Sequence, residues 1–276
     1  MTTYRTATLS ELLSLVLDWA AEEGWNPGRD DAAAFFAADP EGFFVAVEQG
    51  EPVASISVVN HTSDFAFLGL YIVRKGFRGR GIGLGLWTYA LRHAGTRTVG
   101  LDGVKAQQEN YRASGFTYFG GTTRFTGLIS PQHRADINVA DQGDIETLIQ
   151  MEATASGVSK PRYVRPWLSG DVGRTTFVKR DQGVITGFCT IRTCTSGAKI
   201  GPLIAENVDV AQQLLAHATA GVVGPISMDV PDTATALTEL CETLGWQPGF
   251  KTARMYKGAF DVPGHKCYAV SSLELG

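Results

Sequence analysis

Charge is scarce in this 276-residue chain. Asp, Glu, Lys and Arg together make up 19%, and 24 basic residues stand against 28 acidic ones. The balance holds on both sides of residue 130, with 11 basic and 13 acidic residues before it and 13 and 15 after it. Neither half is a basic arm or an acidic tail, which argues against nucleic acid or an anionic membrane as the main partner. No cysteine precedes Cys189, and Cys189, Cys194, Cys241 and Cys267 include no Cys-x-x-Cys pair. The histidines (His61, His93, His133, His217, His265) form no His-Glu-x-x-His. No metal site is expected. Cys189 and Cys194, an odd number of residues apart on or near a strand, point to opposite faces and read as free thiols. No apolar run approaches the roughly 20 residues of a membrane span. The first apolar stretch, Leu12 to Leu17, is broken by Ser14 and flanked by Glu11 and Asp18, unlike a signal peptide. The expectation is a cytoplasmic protein with reduced thiols, as a monomer or homodimer.

What is present is glycine, 32 residues of it, and enough length for two domains at roughly 150 residues each. Thr3 to Thr8 reads as a strand, and Ser10 as the cap of an amphipathic helix through Ala20. Asp30-Asp31 open a helix over Ala32 to Ala38. Phe43 to Val47, Pro52 to Asn60 and Phe65 to Val73 read as strands. A helix follows over Leu84 to Ala94, then a strand Thr98 to Leu101, a helix Lys105 to Ser114 and strand sequence from Thr117 to Thr126. Beyond residue 130 the order recurs, closing with a strand near Ile226 to Val230, a helix Ala234 to Leu244 and a strand opened by Gly245-Trp246. Tyr268 to Leu275 reads as one more strand, able to join the two parts.

The recurrence has a matched spacing. Gly115 precedes Arg124 by nine residues, and Gly245 precedes Arg254 by nine. With the same element order around each, the chain reads as a duplication, with residues 1–130 and 131–276 as the two domains.

Chemistry concentrates in Arg78-Gly79-Arg80-Gly81-Ile82-Gly83, between an apolar strand and a helix. Glycines there let the backbone approach a ligand, and the free N–H groups of the helix start attract an anion. Arg74 and Lys75 add positive charge. The segment fits a pyrophosphate cradle or a solvated basic turn. It is neither a dinucleotide fingerprint, since Leu84 stands where a third glycine belongs, nor a Walker loop, since no Gly-Lys-Ser/Thr ends it.

The spacing Arg78-x-x-Gly81-x-Gly83 resembles the acetyl-CoA loop of the GNAT N-acetyltransferases. The strand before it, the helix after it and Tyr111-Arg112-Ala113-Ser114-Gly115-Phe116 follow the order of that family. The whole chain, with Gly24-Trp25-Asn26-Pro27-Gly28, Gln107-Gln108-Glu109-Asn110-Tyr111 and Ser272-Leu273-Glu274-Leu275-Gly276, resembles its tandem, YitH-like group. The resemblance implies an α+β fold of two tandem domains, each a twisted, mainly antiparallel mixed sheet flanked by helices. It implies acetyl-CoA as co-substrate, no metal, and direct transfer to a primary amine of a small molecule or peptide. Arg78, Gly79, Arg80, Gly81, Ile82 and Gly83 would hold the pyrophosphate, and Tyr71, Ile72 and Val73 the pantetheine. Arg74-Lys75-Gly76 stands where many members have a proline, which alters the turn without removing a phosphate contact.

Tyr111 is then the candidate acid for the departing thiolate, or a core tyrosine beneath Phe116. Asp102 ends a strand beside the expected cleft and would orient an amine or cap a helix. Trp25, Asn26, Asp30 and Asp31 fall where the family lines its acceptor pocket. Asp31 reads rather as a helix cap, and Trp25 equally as a core anchor. His61 and Asp64 read as exposed loop residues. The second half has no such loop: Ile200-Gly201-Pro202-Leu203-Ile204-Ala205-Glu206-Asn207 offers a proline without an N–H and an added negative charge. It is expected to keep the fold without binding acetyl-CoA in the usual way. Arg162, Tyr163, Arg165, Trp167 and Arg192 form either an anion-binding group or ordinary surface charge. The competing function is a catalytically silent protein that binds acetyl-CoA or a metabolite for regulation.

Overall fold

The structure is a computed structural model that describes residues 1–170, 173–260 and 266–276. The first half supplies strands β1 (Thr3–Thr6), β2 (Phe43–Glu48), β3 (Glu51–Asn60), β4 (Phe65–Val73), β5 (Thr98–Val104) and β6 (Thr117–Gly127). The second supplies β7 (Ile137–Val139), β8 (Arg174–Asp181), β9 (Val184–Thr193), β10 (Ala198–Ala205), β11 (Ile226–Pro231), β12 (Gln247–Lys257) and β13 (Cys267–Ala269). Most strands match the sequence reading to within a residue or two. Thr8, rather than Ser10, caps the first helix, because its hydroxyl and the Glu11 carboxylate satisfy each other's backbone N–H in a capping box. The helix Pro161–Leu168 was not expected, since Pro161 and Pro166 break its pattern. The final strand is shorter than expected and stops at Ala269.

All thirteen strands belong to one sheet, ordered β1-β2-β3-β4-β5-β12-β6-β11-β10-β9-β8-β7, with β13 against β10. Pairing is antiparallel except for β4–β5 and β10–β11. The order contains an exchange. β12, from the end of the second half, lies between β5 and β6 of the first. In return β6 crosses to pair with β11. The expected junction at residue 130 falls between Gly127 and Ile137, but each half completes its sheet with a strand from the other.

The exchange sets matching ion pairs. Arg124 on β6 stands opposite Asp229 on β11, and Arg254 on β12 stands opposite Asp102 on β5. Each arginine closes on its carboxylate with two hydrogen bonds, at 2.7 and 2.9 Å for Arg124 and at 2.9 and 2.7 Å for Arg254. The repeated Gly-to-Arg spacing therefore marks the two exchanged strands.

A core shared by both halves lies under the helix Asp31–Ala38 and the helix Pro161–Leu168. Phe35 stacks on Trp167 at 5.9 Å, and Tyr163 packs on both. Arg174 and Arg192 lie over the Trp167 ring and pair with Asp31 at 2.8 and 3.2 Å. Tyr163, Trp167 and Arg192 are therefore interior, neither surface charge nor an anion site, whereas Arg165 is exposed and pairs with Glu146.

Candidate active site

β4 and β5 pair from Phe65 and Thr98 as far as Leu68 and Leu101 and then part. β4 carries an extra residue there: Ser57 faces Gly69 but Ser55 faces Ile72. Leu70, inside this bulge, has φ +47° and is buried. That conformation costs a β-region residue about 1–3 kcal/mol and is retained where the surroundings enforce it. The bulge bends β4 away from β5 and opens a cleft between them.

The glycine-rich turn lies at the outer end of the cleft. Gly79 and Gly81 both have φ +76°, which a side chain would strain. Gly81 is the N-cap of the helix Ile82–Ala90, whose first residues line the groove and whose first N–H groups have no partner within the helix. Gly83 fits against the Tyr71 hydroxyl, where a Cβ would come within 2.6 Å. Arg78 donates to the Val73 carbonyl at 2.7 Å and pairs with Glu23, while Arg80 pairs with Glu48 at 2.8 Å. An open groove of about 540 Å³ runs along Tyr71, Ile72, Val73, Arg78, Gly79 and Gly81–Gly83. The residues expected to hold acetyl-CoA thus line one groove, except Arg80, whose guanidinium leans over Phe77. A diphosphate and a pantetheine arm fit this arrangement: anion donors at the mouth, then a strand edge with free backbone groups.

Further in, the groove reaches a small cavity of about 60 Å³. Trp25, Tyr71, Val104, Gln107 and Phe250 line both spaces and mark the passage between them. Tyr111 and Asp102 line the inner cavity. Tyr111 is buried, stacks on Trp87 at 5.5 Å, and has no hydrogen bond to its hydroxyl among the described residues. Burial, with Tyr71 beside it, pushes its phenol well above the usual value of about 10. Asp102 is fully buried, and burial raises its carboxyl despite Arg254. Both of its oxygens are engaged by that arginine, so it is not a free base.

Three expected acceptor residues lie elsewhere. Asn26 exchanges hydrogen bonds with the Ser196 backbone at 2.9 and 3.1 Å, bridging the halves. Asp31 accepts from the Gly28 N–H at 2.8 Å and holds Arg174 and Arg192. Asp30 packs against Gly173. None of the three lines the cavity; the turn Asn26–Asp31 docks on the end of β9 instead. His61 is not a free loop residue either, since its Nε2 donates to the Leu275 carbonyl at 2.9 Å.

The second half contributes Phe250, Thr252, Leu273 and Glu274 to the cavity. These were not expected from the sequence. After β13 the chain runs from Ser271 to Gly276 as a buried segment between the halves. It passes so close to β4 that a Cβ on Gly69 would lie 2.0 Å from the Glu274 carbonyl.

The second half repeats the bulge between Ile200 and Leu203 of β10. Its cleft, however, is filled by its own chain. β13 pairs with β10 at Leu203 and Ile204, and the Val270 N–H donates to the Asp229 carbonyl of β11 at 3.0 Å. Only Glu206 and Asn207 separate β10 from the next helix, so no turn is left to hold a diphosphate. Among the described residues no cluster of His, Cys, Asp or Glu would hold a metal, and no helix is long and apolar enough to cross a membrane.

A splayed β4–β5 pair, a glycine turn leading into a helix and a tyrosine at the inner end define an acyltransferase of the GNAT fold. Residues 10–117 match the acetyltransferase (GNAT) family, and residues 148–269 match an acetyltransferase (GNAT) domain. The chain is 37% identical over 280 residues to a holothin acyltransferase of Pseudoalteromonas sp. (strain SANK 73390), covering 99% of this chain and 94% of that protein. It is 22% identical to the uncharacterized N-acetyltransferase YitH of Bacillus subtilis (strain 168), over 76% of each. A putative acetyltransferase from Pyrococcus horikoshii shares the fold across 100% of this chain and 96% of its own, with a TM-score of 0.84 at 19% identity. A tandem GNAT protein from the clavulanic acid biosynthesis pathway does so with a TM-score of 0.63 at 15% identity, over 95% of this chain and 100% of its own. The chain belongs to the GNAT acyltransferase family, in its tandem two-domain form.

Proposed function

We propose that the protein is an acetyl-CoA-dependent N-acetyltransferase, with the first half binding the co-substrate and both halves enclosing a primary-amine acceptor. The observation that carries this reading is the continuous path from the Gly79–Gly83 turn, along Tyr71–Val73, to the cavity lined by Tyr111. The co-substrate supplies the thioester. The chain's residues do the rest. N–H groups of the helix Ile82–Ala90 and its turn bind the diphosphate, and the free edge of β4 holds the pantetheine and offers an N–H to the thioester oxygen. The apolar inner walls exclude water. Tyr111 donates a hydrogen bond to the leaving sulfur. Its phenol is pushed above the thiol's range near 8.5, so the hydrogen bond, not full proton transfer, is its contribution. The holothin acyltransferase relative makes holothin a first acceptor to test. The four cysteines, free and mostly buried, support a reducing compartment such as the cytoplasm.

The test is thermal unfolding with acetyl-CoA, CoA and NADPH added separately. A ligand at about 1,000 times its Kd stabilises by about 4 kcal/mol. At roughly 2–4 °C per kcal/mol for a chain of this size, the midpoint rises by about 8–16 °C. The expected result is a rise with acetyl-CoA and CoA, none with NADPH, and loss of the rise in Gly81→Glu. No rise with either CoA species overturns the reading.

A further inference from the structure

The second half has an inner cavity of its own, of about 100 Å³. The duplication maps one cavity onto the other. Thr252 and Arg124 line the first; Thr122 and Arg254, 130 positions from those counterparts, line the second. Pro202 lies in the bulge of β10 as Leu70 lies in that of β4. No groove leads in from a glycine turn, because β13 fills the cleft. The exposed wall residues are instead Asp232 and Thr233, just beyond β11.

Two groups that close the first cavity are missing from the second. The Phe250 ring lies against the Arg124 guanidinium at 5.4 Å, and the Trp25 carbonyl accepts from Arg124 Nη1 at 2.8 Å. The counterpart of Phe250, again 130 positions away, is Gly120. Gly120 stands opposite Arg254 in the β6–β12 pairing, so a side chain there would share the face of Arg254. A Cβ on Gly120 would meet nothing within 4 Å. Arg254 gives Nε and Nη2 to Asp102, but its Nη1 has no carbonyl partner among the described residues; the Tyr256 hydroxyl stands beside the guanidinium. The Arg254 backbone is paired with Asp102 on one side and Gly120 on the other. What it presents is its side chain, 19% exposed against 8% for Arg124. Phe67 covers the guanidinium at 5.0 Å from outside the cavity. The wall charges are already matched. Arg254 has Asp102, and Lys160 pairs with Glu152 at 3.0 Å, whose other oxygen is enclosed. Asp232, at the exposed rim, accepts from the Gly121 N–H at 2.8 Å. A further ion would enter unpaired, whereas a neutral carbonyl satisfies Nη1 without adding charge.

We propose that the second half's cavity is a second ligand site and that its ligand is a small, neutral aromatic amide, with its ring on the Arg254 guanidinium where Gly120 leaves room and its carbonyl oxygen accepting from Arg254 Nη1. The ligand supplies the ring and the carbonyl that Phe250 and Trp25 supply in the first half. The remaining walls, among them Ala155, Pro202, Ile204 and Val270, suit its apolar body. The site is separate from the acyl-donor groove, and its existence does not depend on the acyl-transfer reading. It does share a wall with the first cavity: in the Arg254–Asp102 pair, Asp102 lines the first and Arg254 the second.

The test uses the full chain and three probes of one shape and different charge, benzamide, benzoate and benzamidinium, with cyclohexanecarboxamide as the non-aromatic control. Each is titrated by calorimetry with and without saturating CoA. Benzamide is expected to bind at least about tenfold more tightly than either ion. It is expected to bind at least about threefold more tightly than cyclohexanecarboxamide, and CoA does not displace it. Gly120→Phe, which restores the ring of the first half, abolishes benzamide binding. Gly120→Val fills less of the space and weakens binding at least about threefold. Both variants are checked for a cooperative unfolding transition. No benzamide binding, a preference for either ion, equal binding of the non-aromatic amide or displacement by CoA overturns the inference. So does undiminished benzamide affinity in folded Gly120→Phe or, should that variant not fold, in Gly120→Val. The titrations without CoA decide the site whether or not the chain transfers acyl groups.

Discussion

Arg254 closes on Asp102 from 152 positions away in the sequence, with two hydrogen bonds of 2.9 and 2.7 Å. The same geometry joins Arg124 to Asp229, but the two pairs differ electrostatically. Burial works to raise both carboxyls. At Asp229, Lys199 and Arg124 outweigh it and hold the group low. At Asp102, facing the cavity, burial wins.

Removing Arg254 leaves Asp102 buried without a partner. Arg254→Ala is expected to cost about 3–5 kcal/mol, because an unmatched interior charge loses hydration and gains nothing. Equilibrium denaturation measures it, with both halves unfolding in one transition because the pair joins β12 to β5. Arg165→Ala, which breaks an exposed pair, leaves the midpoint where it was.

Tyr111→Phe removes the hydroxyl proposed above to donate to the leaving sulfur and keeps the ring stacked on Trp87. A hydrogen bond to a charged group is worth about 1.5–3 kcal/mol, so kcat falls about 10- to 100-fold. The CoA thermal shift is unchanged. Thiol release under saturating acyl donor measures the effect, and an unaltered kcat removes Tyr111 from the mechanism.

Gly69→Ala pushes a methyl group against the Glu274 carbonyl. The obstacle is backbone, so the segment must shift, at a cost of about 1–3 kcal/mol. The expected outcome is a lowered unfolding midpoint and a raised KM for the acceptor, with CoA affinity preserved because the glycine turn is untouched. Paired titrations of acceptor and CoA separate the two effects.

His61 donates to the Leu275 carbonyl from a packed site beside Tyr163 and Phe65. Burial, helped by Lys160, lowers its pKa to about 3. The unfolded chain takes up this proton near pH 6.5 and the folded chain does not until about pH 3. The unfolded state therefore binds more protons between those values, and the contribution is present above pH 6.5 and lost as pH falls through that window. The slope approaches about 1.4 kcal/mol per pH unit for this one group. Comparing His61→Gln with the unsubstituted protein from pH 7 to pH 4 isolates it: the substituted protein loses less stability on acidification.

The cofactor half of the site was legible because it is local. A glycine turn, the strand before it and the helix after it lie within the 26 residues from Phe65 to Ala90, and Tyr111 follows its own short spacing. The acceptor half was not legible because it is assembled across the duplication. Asp31 looked available in the sequence, but Arg174 and Arg192 reach it from 143 and more residues away. Glu274 and Phe250 gave no sign of sitting beside Tyr71, since which strand a β-strand pairs with is decided by packing rather than by its own residues. The one long-range clue was the repeated Gly-to-Arg spacing. It marked the exchanged strands without saying that they had been exchanged.

The exchange of β6 and β12 makes the two halves hostages of each other. A chain cut at residue 130 yields one fragment whose sheet ends in an unfilled β5 edge and another whose β11 edge is bare. Each fragment also carries a dangling strand made for the other, with a buried arginine and no carboxylate to meet it. Mixed together, the two pieces hold the parts of a heterodimer that reassembles by trading arms. Alone, each is left to trade with its own copies, as domain-swapped proteins do. Neither half is left free to be a single-domain protein, because each sheet is completed only by the other's strand.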